Sequence, residues 1–223
     1  MDVGELPPYG EPTDRKGVDM KRFLVMAVCS MISVLLLPTT AQAARGDRCH
    51  GPLTTIFGTD GPDSFATGFV GTNESDVMFA FAGDDDVLGV ASQDHICGAA
   101  GNDQIAGGDE QRAGEDAFGD HLFGGSGNDR LEGEAGMDFA YGGDGDDVLT
   151  GGSGDDQLLG GDGADDLSDS QGVDVVFGRS GDDTIRLVGG SRADQAFGGR
   201  GLDTCIVDPE DVTEKCEVIQ VVT

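Results

Sequence analysis

Along most of this chain short apolar segments recur, most of them nine residues apart, separated from one another by glycines and acids. With Asp as the sixth position of a frame Gly-Gly-x-Gly-x-Asp-x-U-x, where U is apolar, frames begin at residues 58, 71, 80, 89, 98, 115, 124, 133, 142, 151, 160, 169, 178, 189 and 198. All fifteen carry Asp at position six, and Gly142-Gly143-Asp144-Gly145-Asp146-Asp147-Val148-Leu149-Thr150 is one clean copy. The eighth positions read Phe65, Met78, Val87, Ile96, Ile105, Leu122, Leu131, Ala140, Leu149, Leu158, Leu167, Val176, Ile185, Ala196 and Cys205. Side chains alternate across a strand, so each x-U-x triplet turns U inward and its neighbours outward. A fixed period of this kind is the signature of a solenoid. The expected fold is all-β, a parallel β-roll or β-helix of Gly-rich nonapeptide repeats with an aliphatic ladder on each face.

The register breaks three times, with four extra residues at Thr67–Val70, eight at Gly107–Gly114 and two at Leu187-Val188. These are expected to bulge from the stack as loops. Beyond Ile206, Asp208-Pro209-Glu210-Asp211 is expected to turn the chain and Val218–Val222 to form a final strand covering the open end, as Leu53–Phe57 does at the front. Solenoid ends need such covers, because bare strand edges invite aggregation.

The front of the chain has a different composition. Lys21 and Arg22 precede an apolar run from Phe23 to Leu37, and Ala41-Gln42-Ala43 follows, which reads as a secretory signal peptide cleaved after Ala43. A run of about fifteen residues falls short of the ~20 that a spanning helix requires. Met20 opens a signal of ordinary shape and is the expected start. The domain plan is therefore 1–43 extension and signal, 44–206 roll with its N-terminal cap, and 207–223 C-terminal cap. The mature part retains Cys49, Cys97, Cys205 and Cys216, an even number that suggests two disulfides in a secreted chain. Cys205 and Cys216 bracket the last repeat and the tail, so their pairing is favoured, and Cys49 with Cys97 by elimination. A cysteine metal site lacks the CxxC spacing it would need.

Composition sharpens the picture. The chain has 43 acidic against 13 basic residues, a formal net charge of -30, 39 glycines and only 37% hydrophobic residues. Such a chain buries too little apolar surface to offset its conformational entropy unless counter-ions help. Nucleic acid and anionic membranes are unfavourable partners, since both require basic patches. Stacked carboxylates at the ~4.8 Å strand spacing repel by roughly 3 kcal/mol per neighbouring pair at an effective dielectric of about 20. The Gly-Gly-x-Gly-x-Asp consensus has a known remedy, in which glycine loops and their Asp face Ca²⁺. Several Ca²⁺ ions are therefore the expected cofactor. The competing role for each sixth-position Asp is an Asx-type turn bond to a nearby amide.

These residues resemble the haemolysin-type, repeats-in-toxin (RTX) calcium-binding family over roughly Gly58 to Ile206, most strongly from Gly124 to Arg186. The resemblance implies two nonapeptides per turn, with ions between the loops of adjacent turns. No pore-forming or catalytic domain precedes the repeats, so the chain looks more like the small secreted, repeat-only members. Alternate frames then stack on opposite edges. Frames 98, 124, 142, 160, 178 and 198 keep Gly at positions one and four, whereas among frames 89, 115, 133, 151, 169 and 189 only 133 and 151 do. Glycine adopts unusual dihedrals without steric cost, so the first edge should hold a continuous row of ions through Asp103, Asp129, Asp147, Asp165, Asp183 and Asp203. Gly124, Gly142, Gly160 and Gly178 shape its loops. The second edge should be sparse, with Asp138 and Asp156 as its best positions. Fifth-position acids such as Asp146, Asp155 and Asp182 are expected to face solvent.

No catalytic motif accompanies the repeats. His50, His95 and His121 are scattered in sequence, and no HExxH, Gly-x-Ser-x-Gly or Cys-His pairing emerges. A second function class is Ca²⁺-dependent adhesion to an extracellular polymer or to another copy, for which the outward Phe79, Phe123, Phe139, Tyr141, Phe177 and Phe197 would supply the contact surface. A contiguous exposed patch would favour adhesion, and a dispersed or covered one a plain Ca²⁺-stabilised rod.

Overall fold

The computed structural model describes residues 54–64, 69–109, 118–189 and 192–222. The expected signal, its Met20 start and Ala43 cleavage point, Cys49, Leu53 and Phe65 lie outside them. Among the described residues there are seventeen strands and no helix, so none that could cross a membrane.

Two parallel sheets form. One contains, in spatial order, β1 (Thr54–Phe57), β2 (Asp76–Ala82), β4 (His95–Ala100), β6 (Phe118–Ser126), β8 (Met137–Asp144), β10 (Gln157–Asp162), β12 (Val175–Ser180), β14 (Gln195–Arg200) and β16 (Val212–Glu214). The other contains β3 (Asp86–Val90), β5 (Gln104–Asp109), β7 (Arg130–Ala135), β9 (Val148–Ser153), β11 (Asp166–Asp169), β13 (Thr184–Leu187), β15 (Thr204–Val207) and β17 (Val218–Val221). Successive strands alternate between sheets, so two nonapeptides make one turn of a β-solenoid of about 8 turns. Pairs such as Leu158↔Val176 and Leu149↔Leu167 fix this register.

The core is a double column one side chain deep. Met78, Ile96, Leu122, Ala140, Leu158, Val176 and Ala196 from one sheet meet Val87, Ile105, Leu131, Leu149, Leu167, Ile185 and Cys205 from the other, none more than 2% exposed. Each rung buries only two apolar groups, so the core itself is thin. That thinness is what makes the loop chemistry decisive.

All three register breaks fall differently from expectation. Phe69 enters the core column and Val70 bridges Leu88, so two residues expected in the first insertion belong to the stack. At the second break Gly107 and Gly108 remain in the stack: Gly107 lies against Asp120, the place expected for Glu115. At the third, Leu187 is a fully buried strand residue paired with Val207, so the surplus residues follow it. In each case an apolar or small residue that satisfies the strand holds its place.

The C-terminal end also differs. Asp208 to Asp211 turns as expected, with the Asp211 amide donating to the Asp208 carbonyl. The chain then adds two rungs rather than a lid: β16 pairs with β14 and β17 with β15, leaving Ile219 in line with the core column but 51% exposed. A disulfide joins Cys205 to Cys216. Cys97 is buried in β4, and its proposed partner Cys49 is among the residues not described.

Candidate metal centre

Loops leaving the nine-stranded sheet line one edge of the solenoid with Asp63, Asp85, Asp103, Asp129, Asp147, Asp165, Asp183 and Asp203. Loops leaving the eight-stranded sheet line the other with Asp76, Asp94, Asp120, Asp138, Asp156, Asp174 and Asp194. On both edges each Asp amide donates to the Oδ1 of the Asp one turn later, at 2.8 to 3.0 Å on the first edge and 2.6 to 3.0 Å on the second. Two acids outside the repeat consensus finish the ladders: Glu217 accepts from the Asp203 amide at 2.9 Å and Asp211 from the Asp194 amide at 3.0 Å. These bonds cross between turns, so the local Asx-type turn is not the role adopted. Only the opening loops add such a bond, from the Thr59 amide to Asp63 and the Thr72 amide to Asp76.

The second carboxylate oxygen is the informative atom. Oδ2 of Asp85, Asp94, Asp103, Asp129, Asp138, Asp147, Asp156, Asp165, Asp174, Asp183 and Asp203 is buried without a hydrogen-bond partner. An orphaned buried carboxylate oxygen is costly unless a proton or cation meets it. Nine of these oxygens, all but those of Asp85 and Asp174, lie against the position-one glycine of their own loop. A Cβ on Gly98, Gly124, Gly142, Gly160 or Gly178 would stand only 2.7 to 2.8 Å from the Cγ of the following Asp. At Gly124 and Gly178 the same spot also faces the carbonyl of the next turn's position-one residue, Gly142 and Gly198, at 2.7 Å. Carboxylate and carbonyl oxygens thus converge, the donor set that Ca²⁺ takes. The positive dihedrals fall at positions two and four, as in Gly143 (φ 127°) and Gly145 (φ 135°). Position one is glycine for space, not for conformation as the sequence reading held.

Electrostatics agree with the geometry. Burial pushes Asp94, Asp103, Asp147, Asp165 and Asp174 up to about 7 from 3.8, against the amide bond from the preceding turn, which pulls down. Asp129, Asp138 and Asp183 rise to about 6 for the same first cause. Asp156 is raised by burial and then by the charges of Asp169 and Asp138. The bare ladder therefore resists full ionisation.

Every expected ligand aspartate falls in these ladders, and Gly124, Gly142, Gly160 and Gly178 line the first. The expected contrast between edges is not found in the ladders: the second is as continuous as the first, because a loop that loses a glycine keeps its Asp. Asp146, Asp155 and Asp182 are exposed as expected, yet each also accepts an amide from the next turn, from Ala164, Val173 and Leu202 at 2.8 to 2.9 Å. The sequence reading missed Asp169, a position-one residue taken only as a lost glycine. It is 5% exposed, and Asp156, Asp169 and Asp174 each bring an oxygen within 4.8 Å of the others.

The histidines are not scattered in space. His95 and His121 share a register on neighbouring strands, with Nδ1 atoms 3.1 Å apart. Burial lowers both, and the charge of His121 lowers His95 further. The outward aromatic residues also align: Phe57, Phe79, Cys97, Phe123, Tyr141, Leu159, Phe177 and Phe197 form one in-register row across the nine-stranded sheet. Phe177 and Phe197 stack at 4.8 Å, and Phe79 and Leu159 are only 6% and 8% exposed.

The fold and its edges thus define a parallel β-solenoid with an acidic loop ladder on each side. The family model for the RTX calcium-binding nonapeptide repeat (4 copies) matches residues 69–96, 79–110, 116–149, 123–158, 133–167, 159–187 and 186–208, and the chain belongs to that family. No curated protein and no solved structure matches it.

Proposed function

We propose that this chain is a secreted calcium-binding repeat protein, without catalytic activity, whose solenoid forms at neutral pH and above only when Ca²⁺ occupies the loop edges. Asp103, Asp129, Asp147, Asp165, Asp183 and Asp203 would hold ions on the first edge, and Asp138 and Asp156 on the second, with the carbonyls of the glycine loops completing the oxygen set. The observation that carries this reading is the column of buried, partnerless Oδ2 atoms. Bound Ca²⁺ would neutralise those oxygens and bridge adjacent turns. The leader pattern before Ala43 supports export, which would deliver the chain to millimolar Ca²⁺. At ~1 mM free ion and a dissociation constant of ~0.1 mM, each site adds about 1.4 kcal/mol. About five such sites approach a whole domain's stability.

The adhesion alternative receives less support. The aromatic row is contiguous, but Phe79, Cys97 and Leu159 within it are buried, which leaves little of it free for a partner.

The test is a Ca²⁺ titration of the metal-stripped chain followed by circular dichroism and calorimetry. The expected outcome is a coil spectrum in chelator, β-signal gained with Ca²⁺, and little gained with Mg²⁺, which demands a near-ideal octahedron. Full β-content in chelator with no heat of binding would end the proposal.

A further inference from the structure

We propose that Asp156, Asp169 and Asp174 form a cation site of their own on the second edge, binding one Ca²⁺-sized hard cation, a lanthanide included, more tightly than the ordinary loop positions. This rests on the calcium reading above and adds a difference in kind between sites that the repeat alone would make alike.

The three residues are 2%, 5% and 0% exposed, and one oxygen of each lies within 4.8 Å of the others. Each has one oxygen already fixed by backbone. Asp156 Oδ1 accepts the Asp138 amide at 2.8 Å, Asp174 Oδ1 accepts the Asp156 amide at 3.0 Å, and Asp169 Oδ1 accepts the Ser170 amide at 2.6 Å. The remaining Oδ2 atoms of all three are buried without a partner. Among the described residues no ion pair involves any of them. Three anchored carboxylates thus converge with their free oxygens unanswered.

Asp169 is what makes the position unusual. One turn earlier, the space over Gly133 receives the Asp138 carboxylate and the Gly151 carbonyl, the latter 2.6 Å from where a Cβ would stand. Over Gly151 the corresponding space receives two carboxylates, from Asp156 and Asp169. A second carboxylate oxygen thus stands nearer to that spot than any carbonyl does. Ca²⁺ affinity in protein sites is tuned over decades by the number of charged ligands and by rigidity, and both increase here. A 170 Å³ cleft lined by Thr150, Gly152, Ser168, Ser170, Arg186 and Val188 borders Asp169.

The experiment is calorimetric Ca²⁺ titration of the whole metal-stripped chain, repeated with Tb³⁺, on the wild type, Asp169→Asn and Asp169→Gly. Asn keeps the Oδ1 acceptor and loses the charge; Gly restores the residue used by the preceding turns. The wild type should show one tight ion ahead of a weaker set. Both variants should reach the same β-content at saturating Ca²⁺, with that one ion weakened about tenfold or more and the weaker set unchanged. A single class of equal sites in the wild type, or a tight step surviving in either folded variant, overturns the proposal while leaving the calcium reading intact. Failure of both variants to fold at saturating Ca²⁺ overturns it in favour of a scaffold role for Asp169. No uptake by any of the three proteins removes both readings.

Discussion

Glycine at position one and aspartate at position six exclude one another's bulk. In most loops the carboxylate folds back into the space where a Cβ would stand, as the 2.7 Å approach of Asp147 Cγ to the Cβ that Gly142 lacks demonstrates. What this arrangement gains is an inter-turn amide bond, and what it costs is a buried charge. Burial raises Asp103, Asp147 and Asp165 to about 7 from 3.8. A raised folded-state value means that the folded form holds more protons, so the stability it contributes is complete below the unfolded value and disappears as pH rises through the folded one. Metal-free protein should therefore be most structured near pH 4 and lose β-signal between about pH 4 and 7. With Ca²⁺ present the trend reverses, because protons compete for the same oxygens and apparent affinity climbs with pH. Circular dichroism of metal-stripped protein across that range checks the sign; a signal flat or increasing toward pH 8 would mean that the carboxylates are not the titrating groups.

Strands in this solenoid are short and take their identity from one inward residue, which explains both what the sequence revealed and what it hid. Leu149, Leu158 and Leu167 announce themselves, because alternation and the nine-residue period agree, and the Asp ladders follow from the same phase. Phe69 and Leu187 were hidden because counting back from the next Asp assigns surplus residues to the wrong side of the loop. Which side bulges is decided by packing, and packing keeps the apolar residue. Asp169 was illegible for a related reason: the consensus marks it as a missing glycine, and only the neighbouring turn reveals that its carboxylate enters the space over Gly151. The last strands were equally obscure, since β16 and β17 carry no consensus and are placed by pairing with β14 and β15. The Cys205 to Cys216 disulfide, with a sequence separation of 11, ties that weak end to a core position. In the loop-closure account a bridge of this span contributes about 3 kcal/mol. Cys216→Ser should thus lower the urea midpoint in saturating Ca²⁺ by the equivalent of roughly that amount and speed amide exchange in residues 208–221 first. An unchanged midpoint would mean that the end is held by strand pairing alone.

At the scale of the whole molecule each turn touches only its neighbours, so stability is close to a sum of repeat and interface contributions. The repeat unit is nevertheless the turn and not the nonapeptide, because the two sheets differ on their outer faces. The ninth positions of the nine-stranded sheet carry the aromatic row, from Phe57 to Phe197, whereas those of the other are Leu88, Ala106 and Ile206 toward its ends and Glu132, Thr150, Ser168 and Arg186 between them. Excising residues 124–141, one full turn, joins Phe123 to Gly142 and leaves every later strand in its own sheet. That protein should still fold with Ca²⁺, bind about two fewer ions, one from each edge, and melt only modestly earlier. Excising 133–141 alone removes half as much chain but moves every later strand to the opposite sheet, so that at the junction Leu159 meets Glu132 and Thr150 meets Phe123 in place of the matched pairs Leu159↔Tyr141 and Thr150↔Glu132. The shorter deletion should therefore be the more damaging, an ordering that no argument from chain length or net charge reproduces. Ca²⁺-dependent circular dichroism with thermal melting of both proteins decides it. Equal stability of the two would show that the faces are interchangeable and that the loop edges alone hold the solenoid, while an unfolded 124–141 deletion at saturating Ca²⁺ would show that turns do not act as modules.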